Sequence, residues 1–223
     1  MSLFFNAVDD GYGGIMYTIK PLGTTTIVVV ALLLVLLGCA IFGKNKKIAI
    51  RPIAFSGVAI ALAVVASMLK LWKMPMGGSV TLFSMLFVVL IGYWYGIGTG
   101  LMAALAYGVL QLLIDPYIIS VPQLLLDYVF AFGALGLSGC FSKSKYGLIK
   151  GYLLGVFGRF VVSTISGVIF FATYMPEFFN NPFAYSACYN GAYIGLEALI
   201  TVIILFIPPV NKGLDYVKGL ATK

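Results

Sequence analysis

The sequence predicts an all-α membrane protein that crosses the bilayer seven times. Of its 223 residues, 61% are hydrophobic and 9% charged, against about a quarter charged in soluble domains. The mean hydropathy is +1.06. Apolar stretches of about twenty residues, the length a helix needs to span hydrocarbon, recur between polar breaks. Basic residues gather in alternate breaks. Together these observations exclude a water-soluble enzyme and a disordered chain, and the surrounding partner is a lipid bilayer.

The segments lie at about 24–43, 50–71, 80–94, 97–114, 119–141, 147–173 and 184–207. In the first, the run Ile27–Leu37 has no clean small-x-small cleavage pattern behind it, so a retained helix is expected rather than a signal peptide. The second carries Ala54, Gly57 and Ala61. The third is short because Pro75, Gly77 and Gly78 break the chain just before it. The fourth has a ridge of Gly96, Gly100, Ala104 and Gly108, and the sixth one of Gly147, Gly151 and Gly155. Gly191 and Gly195 begin another on the seventh. Small residues one turn apart let backbones approach closely, against a neighbouring helix or a partner subunit.

Charge sets the orientation. Lys44, Lys46, Lys47, Arg51, Lys143, Lys145, Lys150, Lys212, Lys218 and Lys223 fall on one side of a seven-crossing chain. The other side receives Lys20, Lys70 and Lys73 with Asp9, Asp10, Asp115 and Glu177. Positive-inside logic puts the N-terminus outside and the C-terminus in the cytoplasm. The net charge of +7 is therefore topological, and no nucleic-acid partner is implied. Cys39, Cys140 and Cys188 show no CxxC spacing, and there is no histidine. No metal site or cofactor is expected.

Three ionisable residues lie within the apolar segments, where a charge is costly unless paired or hydrated. Arg159 and Glu197 sit near the middles of the sixth and seventh segments, joined by a short loop, and are expected to form an intramembrane ion pair. Asp127 has no basic residue at its own level and invites a cation from a ligand or a proton. Tyr117, Gln123 and Tyr128 flank it. Ser163, Gly167 and Phe171 share one face of the sixth segment. Tyr185, Tyr189 and Asn190 share one side of the seventh. Aromatic faces, a few hydrogen-bonding groups and one anion suit a flat, cationic heterocycle.

Catalysis finds no support. Gly136-Leu137-Ser138-Gly139 has the shape of an intramembrane serine hydrolase motif, but the histidine base is missing. No phosphate loop or HExxH is present. No catalytic residue is assigned, and ATP is not this chain's own fuel. A proton-coupled solitary carrier, with Asp127, Arg159 and Glu197 as a relay, is the alternative from another class. A hydrolase at Ser138 is a third.

From about residue 50 to 210 the chain resembles the thiamine-specific S-component of energy-coupling factor transporters. The resemblance rests on Met74-Pro75-Met76-Gly77-Gly78-Ser79, Gln111-Leu112-Leu113-Ile114-Asp115-Pro116-Tyr117 and Gln123-Leu124-Leu125-Leu126-Asp127-Tyr128. Ser166-Gly167-Val168-Ile169-Phe170-Phe171 and Tyr185-Ser186-Ala187-Cys188-Tyr189-Asn190-Gly191 complete it. It implies a six-helix S-component bundle over 46–223, with 1–45 adding an outside N-terminal segment and an extra helix. It also implies high-affinity vitamin uptake in a bacterial plasma membrane, with a transmembrane coupling subunit and two cytoplasmic ATPases as separate partners. Carried over by position, the acidic ligand is Asp127 with Tyr117 and Tyr128 beside it. Tyr185 and Asn190 are the last helix's ligands, and Gly167 and Phe171 the sixth's small residue and stacking aromatic. The small-residue motif that meets the coupling subunit falls at Ala54, Gly57, Val58 and Ala61, with Val58 where alanine is expected. The family often has a histidine near Ser163, and this chain does not. That departure leaves another vitamin or a thiamine precursor as an alternative ligand.

Overall fold

The computed structural model describes residues 3–27, 29 and 50–223. The chain opens with a β-hairpin that the sequence reading did not foresee. Strand β1 (Phe5–Asp9) pairs antiparallel with β2 (Ile15–Ile19), Phe5 opposite Ile19. The intervening turn is built on Asp10, whose Oδ1 accepts the Tyr12 and Gly14 amides at 2.8 and 2.9 Å. Gly11 and Gly13 supply its left-handed backbone, at φ 76° and 86°. Residues 21–27 are helical. Most of the expected first crossing at 24–43 lies outside the described residues, and with it the seventh span.

The bundle follows as α1 (Ile50–Met68), β3 (Lys70–Lys73), β4 (Ser79–Thr81), α2 (Ser84–Tyr95) and α3 (Ile97–Ile114). Then come α4 (Val121–Phe141), α5 (Gly147–Phe170), α6 (Pro182–Leu205) and α7 (Pro208–Thr222). Helices α1, α3, α4, α5 and α6 are each long and apolar enough to cross a membrane. With 12 residues, α2 is only ~18 Å long. Alone it is shorter than the hydrocarbon thickness; it is entered from the β3–β4 hairpin and ended at Gly96, where φ is 89°. Its burial is nearly complete, with Val88, Val89 and Ile91 at 0% exposure. It forms the centre of the bundle, packed by α1, α3, α4 and α5.

The glycine ridges of α3 and α5 serve internal packing. A side chain at Gly100 would meet the Gly92 Cα at 2.7 Å and the Gly136 carbonyl at 2.8 Å. Gly151 lies against the Ser138 backbone and Gly155 against Leu135. Gly195 faces open space. Ser138 itself is fully buried and donates to the Val89 carbonyl at 3.0 Å, so the GxSG shape is a helix contact. Helix α7, also unforeseen, lies against α1, α2 and α6. Its Lys218 sits 3.6 Å from the Tyr93 ring centre and donates to the Ser142 carbonyl at 3.1 Å.

Candidate functional site

Four segments converge on one cavity, and each is placed by local chemistry. Helix α4 starts where the Ser120 hydroxyl accepts the Gln123 amide at 3.2 Å, with Pro122 in its first turn. The next turn, Leu125–Phe130, is wound in the wider π form. Such turns are frequent at functional sites, and here the adjacent residues Asp127 and Tyr128 both line the cavity. Helix α6 starts with Asn181 accepting the Phe183 amide at 2.8 Å and Pro182 behind it. That start sends Tyr185, Tyr189, Asn190 and Tyr193 inward along one side. Arg159, Ser163, Gly167 and Phe171, spaced four apart, form the α5 wall.

All nine residues singled out as ligands in the sequence border this cavity: Asp127, Tyr117, Tyr128, Ser163, Gly167, Phe171, Tyr185, Tyr189 and Asn190. Gln123, 1% exposed, organises the approach to Asp127. Its Nε2 donates to Asp127 Oδ2 at 2.6 Å and to the Tyr117 carbonyl at 3.1 Å, while its Oε1 accepts the Ile119 amide at 3.1 Å. The Tyr128 hydroxyl accepts the Tyr117 amide at 2.7 Å and donates to the Asp115 carbonyl at 3.1 Å. The loop carrying Tyr117 is thus fixed by two α4 side chains. Asn190 is held by Nδ2 donations to the Ser186 and Ser163 carbonyls at 2.9 and 3.2 Å, and its Oδ1 accepts the Tyr193 hydroxyl at 2.8 Å.

One side of the cavity is closed by the turn from Pro75 to Ser79. Met76 and Gly77 take positive φ of 58° and 89°. The Tyr189 hydroxyl donates to the Pro75 carbonyl and accepts the Gly78 amide at 2.9 Å. Gly77 packs against Tyr117, which stacks on Phe171 with ring centres 5.9 Å apart.

The expected Arg159–Glu197 ion pair does not form. Glu197 is 3% exposed and accepts the Thr81 hydroxyl at 2.6 Å, the Ser84 hydroxyl at 3.1 Å and the Met85 amide at 3.1 Å. The physical reason is α2. Its N-terminus opens inside the bundle after Phe83 with no side-chain cap of its own, and exposed helix-start amides attract an anion. Glu197 supplies it. Arg159 turns instead to the cavity, 4.3 Å from the Phe132 ring centre, a cation–π contact. The expectation that Asp127 has no basic residue at its level is corrected with it, since Arg159 borders the same cavity. The ion pair nearby is Lys70–Asp115.

The N-terminal hairpin reaches this site as well. Asp10 Oδ2 accepts the Tyr174 hydroxyl at 2.7 Å and the Tyr117 hydroxyl at 3.4 Å. The Tyr174 hydrogen bond holds the Asp10 carboxyl below its ordinary range. Burial, with the Tyr174 and Asp10 charges behind it, pushes the Tyr117 phenol up.

Residues 53–214 match the model of the thiamine transporter protein family, Thia_YuaJ. The chain belongs to this family. It is 35% identical over 165 residues to the thiamine transporter ThiT of Bacillus subtilis (strain 168), covering 67% of this chain and 83% of that protein. Among solved structures, ThiT from Listeria monocytogenes shares the fold, with a TM-score of 0.54 and 24% identity over 79% of this chain and 96% of that one. The thiamine transporter family is one of transporters rather than enzymes, and with its apolar helices this member is a multi-pass membrane protein. Every cavity residue named above lies inside the family-matched stretch. The hairpin and its Asp10 lie before it.

The four residues assigned to a partner, Ala54, Gly57, Val58 and Ala61, are all exposed on α1. Ala59, Ala63 and Ala66 turn inward from the same helix. Gln123, Arg159 and Asp10 are the site residues that sequence reasoning undervalued. In the sequence Gln123 stands out only as a neighbour of Asp127, Arg159 as a partner for Glu197, and Asp10 as a charge on the outer side.

Proposed function

We propose that this chain is the substrate-binding S-component of an energy-coupling factor transporter and captures thiamine for uptake. The observation that carries the reading is the cavity itself, in which the Asp127 carboxylate, in no salt bridge among the described residues, stands beside an aromatic wall in a member of the thiamine transporter family. Thiamine offers a permanently positive thiazolium ring and a flat aminopyrimidine. Asp127 faces the cation, Tyr117, Phe171 and Tyr189 cover ring faces, and Ser163, Tyr185 and Asn190 orient the ligand through hydrogen bonds. The turn from Pro75 to Ser79 opens to admit it. Arg159 on the α5 wall offsets part of the negative charge that Asp127 and Asp115 bring to the cavity.

The separate coupling subunit docks on the exposed α1 face at Ala54, Gly57, Val58 and Ala61, and two cytoplasmic ATPases supply the energy. The chain sits in a bacterial plasma membrane with its N-terminus outside and its C-terminus in the cytoplasm. Ser163, standing where the family often has histidine, favours one second reading: a related vitamin or thiamine precursor as the better ligand.

Calorimetry on the purified chain tests both. Thiamine should bind tightly, and pyrimidine or thiazole fragments, pyridoxine and riboflavin should compete poorly. Asp127→Asn removes one partner of a desolvated charge contact, a loss of roughly 2–5 kcal/mol, so affinity should fall tens-fold or more. Unchanged affinity in that variant removes Asp127 from the site. A fragment that outcompetes thiamine makes the precursor the substrate.

A further inference from the structure

The N-terminal hairpin precedes the stretch shared with the family, yet it is docked on the two connections that frame the cavity. From the α3–α4 connection, Ile118 bridges Tyr17 of β2 through backbone hydrogen bonding. From the α5–α6 connection, Tyr174 donates to Asp10 at 2.7 Å, and Tyr117 reaches the same oxygen at 3.4 Å. Phe5, Tyr17 and Ile19 pack against the bundle's core. Gly14 has no room for a side chain, because Tyr174 occupies that space. Tyr117 is at once a cavity wall, the stacking partner of Phe171 and a hydrogen-bond donor to the hairpin.

We propose that the hairpin is a second lid over the cavity, latched by Asp10 to Tyr174 and Tyr117, with Asp10 as the positioning residue for the aromatic wall at the mouth. This rests on the cavity being the thiamine site. In this reading a ligand enters between the Pro75–Ser79 turn, where Gly77 packs on Tyr117, and the Tyr117–Phe171 wall, whose two connections the hairpin ties together through Asp10. Access then requires the latch to open, so the hairpin sets how fast the ligand enters and leaves rather than how tightly it is held. The latch is a charge-assisted hydrogen bond, the stronger kind, but it is a small contact that opens reversibly.

Tyr174→Phe is the cleanest test, because it removes the hydroxyl and leaves the Asp10 turn intact. Filter binding with radiolabelled thiamine should show both association and dissociation rates rising roughly tenfold, with the equilibrium affinity moving less than about threefold. Asp10→Ala should do the same, and the double variant should add little beyond either single one. Unchanged rates in both variants, or a rise confined to the dissociation rate, would overturn the lid. A second readout needs no ligand. With the three native cysteines replaced by alanine and Ser163→Cys introduced, a small water-soluble methanethiosulfonate should label position 163 several-fold faster in the Tyr174→Phe background. Equal labelling rates overturn the lid even if thiamine proves not to bind, and failure of wild-type thiamine binding alone strikes only the ligand assignment.

Discussion

At the scale of single residues, burial and partner geometry decide what each charge does. Glu197 is held by three donors, one from the end of β4 and two from the start of α2. Two of those donor residues, Thr81 and Ser84, line the cavity, while Glu197 does not. Glu197→Ala would leave buried donors unsatisfied, a loss of roughly 3 kcal/mol or more. A clear fall in the thermal midpoint in detergent, smaller for Glu197→Gln because one acceptor oxygen remains, is the expected result. An unshifted midpoint in Glu197→Ala would deny it that capping role. The cavity-lining residues are legible in the sequence because helical spacing places Ser163, Gly167 and Phe171, or Tyr185 and Asn190, on one face. Arg159 is not placed correctly by sequence, which gives depth along a helix and nothing of the neighbouring helix starts. Depth brings Arg159 and Glu197 level, but the α2 helix start competes for the carboxylate, and only tertiary structure puts it there.

At the scale of elements, apolar length located the bundle helices well, since α1, α3, α4, α5 and α6 fall within a few residues of the expected segments. The short α2 was foreshadowed by Pro75, Gly77 and Gly78, although its entry through a β-hairpin was not. The N-terminal hairpin and α7 are not legible in the sequence, because their polar residues double as topology signals and strand alternation is weak in five-residue strands. Which glycine ridge packs inward was also undetermined by spacing, and substitution now separates the cases. A Cβ at Gly136 would stand 2.5 Å from the Leu101 Cα, backbone that yields only if α3 and α4 part. Gly136→Ala should cost about 1–3 kcal/mol. Gly195 has nothing within 4 Å, so Gly195→Ala should be neutral or gain up to about 1 kcal/mol from helix propensity. Unfolding midpoints of the two variants should move in opposite directions or differ plainly in size. Equal midpoints would mean that the α3–α4 approach is not as tight as the structure has it.

At the scale of the whole molecule, the arrangement bears on where the energy for uptake comes from. A proton relay needs its carriers to face one another or a shared water path. Asp127 and Arg159 border the cavity, but Glu197 is turned away and fully engaged. That arrangement disfavours a solitary carrier and fits the proposed partner-driven uptake. The exposed α1 face is where small side chains allow a second protein's helix to come close, since Gly57 has nothing within 4 Å and Ala54, Val58 and Ala61 stand beside it. Proteoliposomes holding this chain alone should bind thiamine yet accumulate none, with or without a pH gradient or ATP. Adding the coupling subunit and its ATPases should produce ATP-dependent uptake. Gly57→Trp should then abolish uptake while thiamine affinity stays at the wild-type value, because the indole blocks helix approach and the cavity lies on other elements. Uptake driven by a pH gradient in the chain alone would instead make the intramembrane charges the engine. Loss of binding together with uptake in Gly57→Trp would mean that the α1 face supports the cavity rather than a partner.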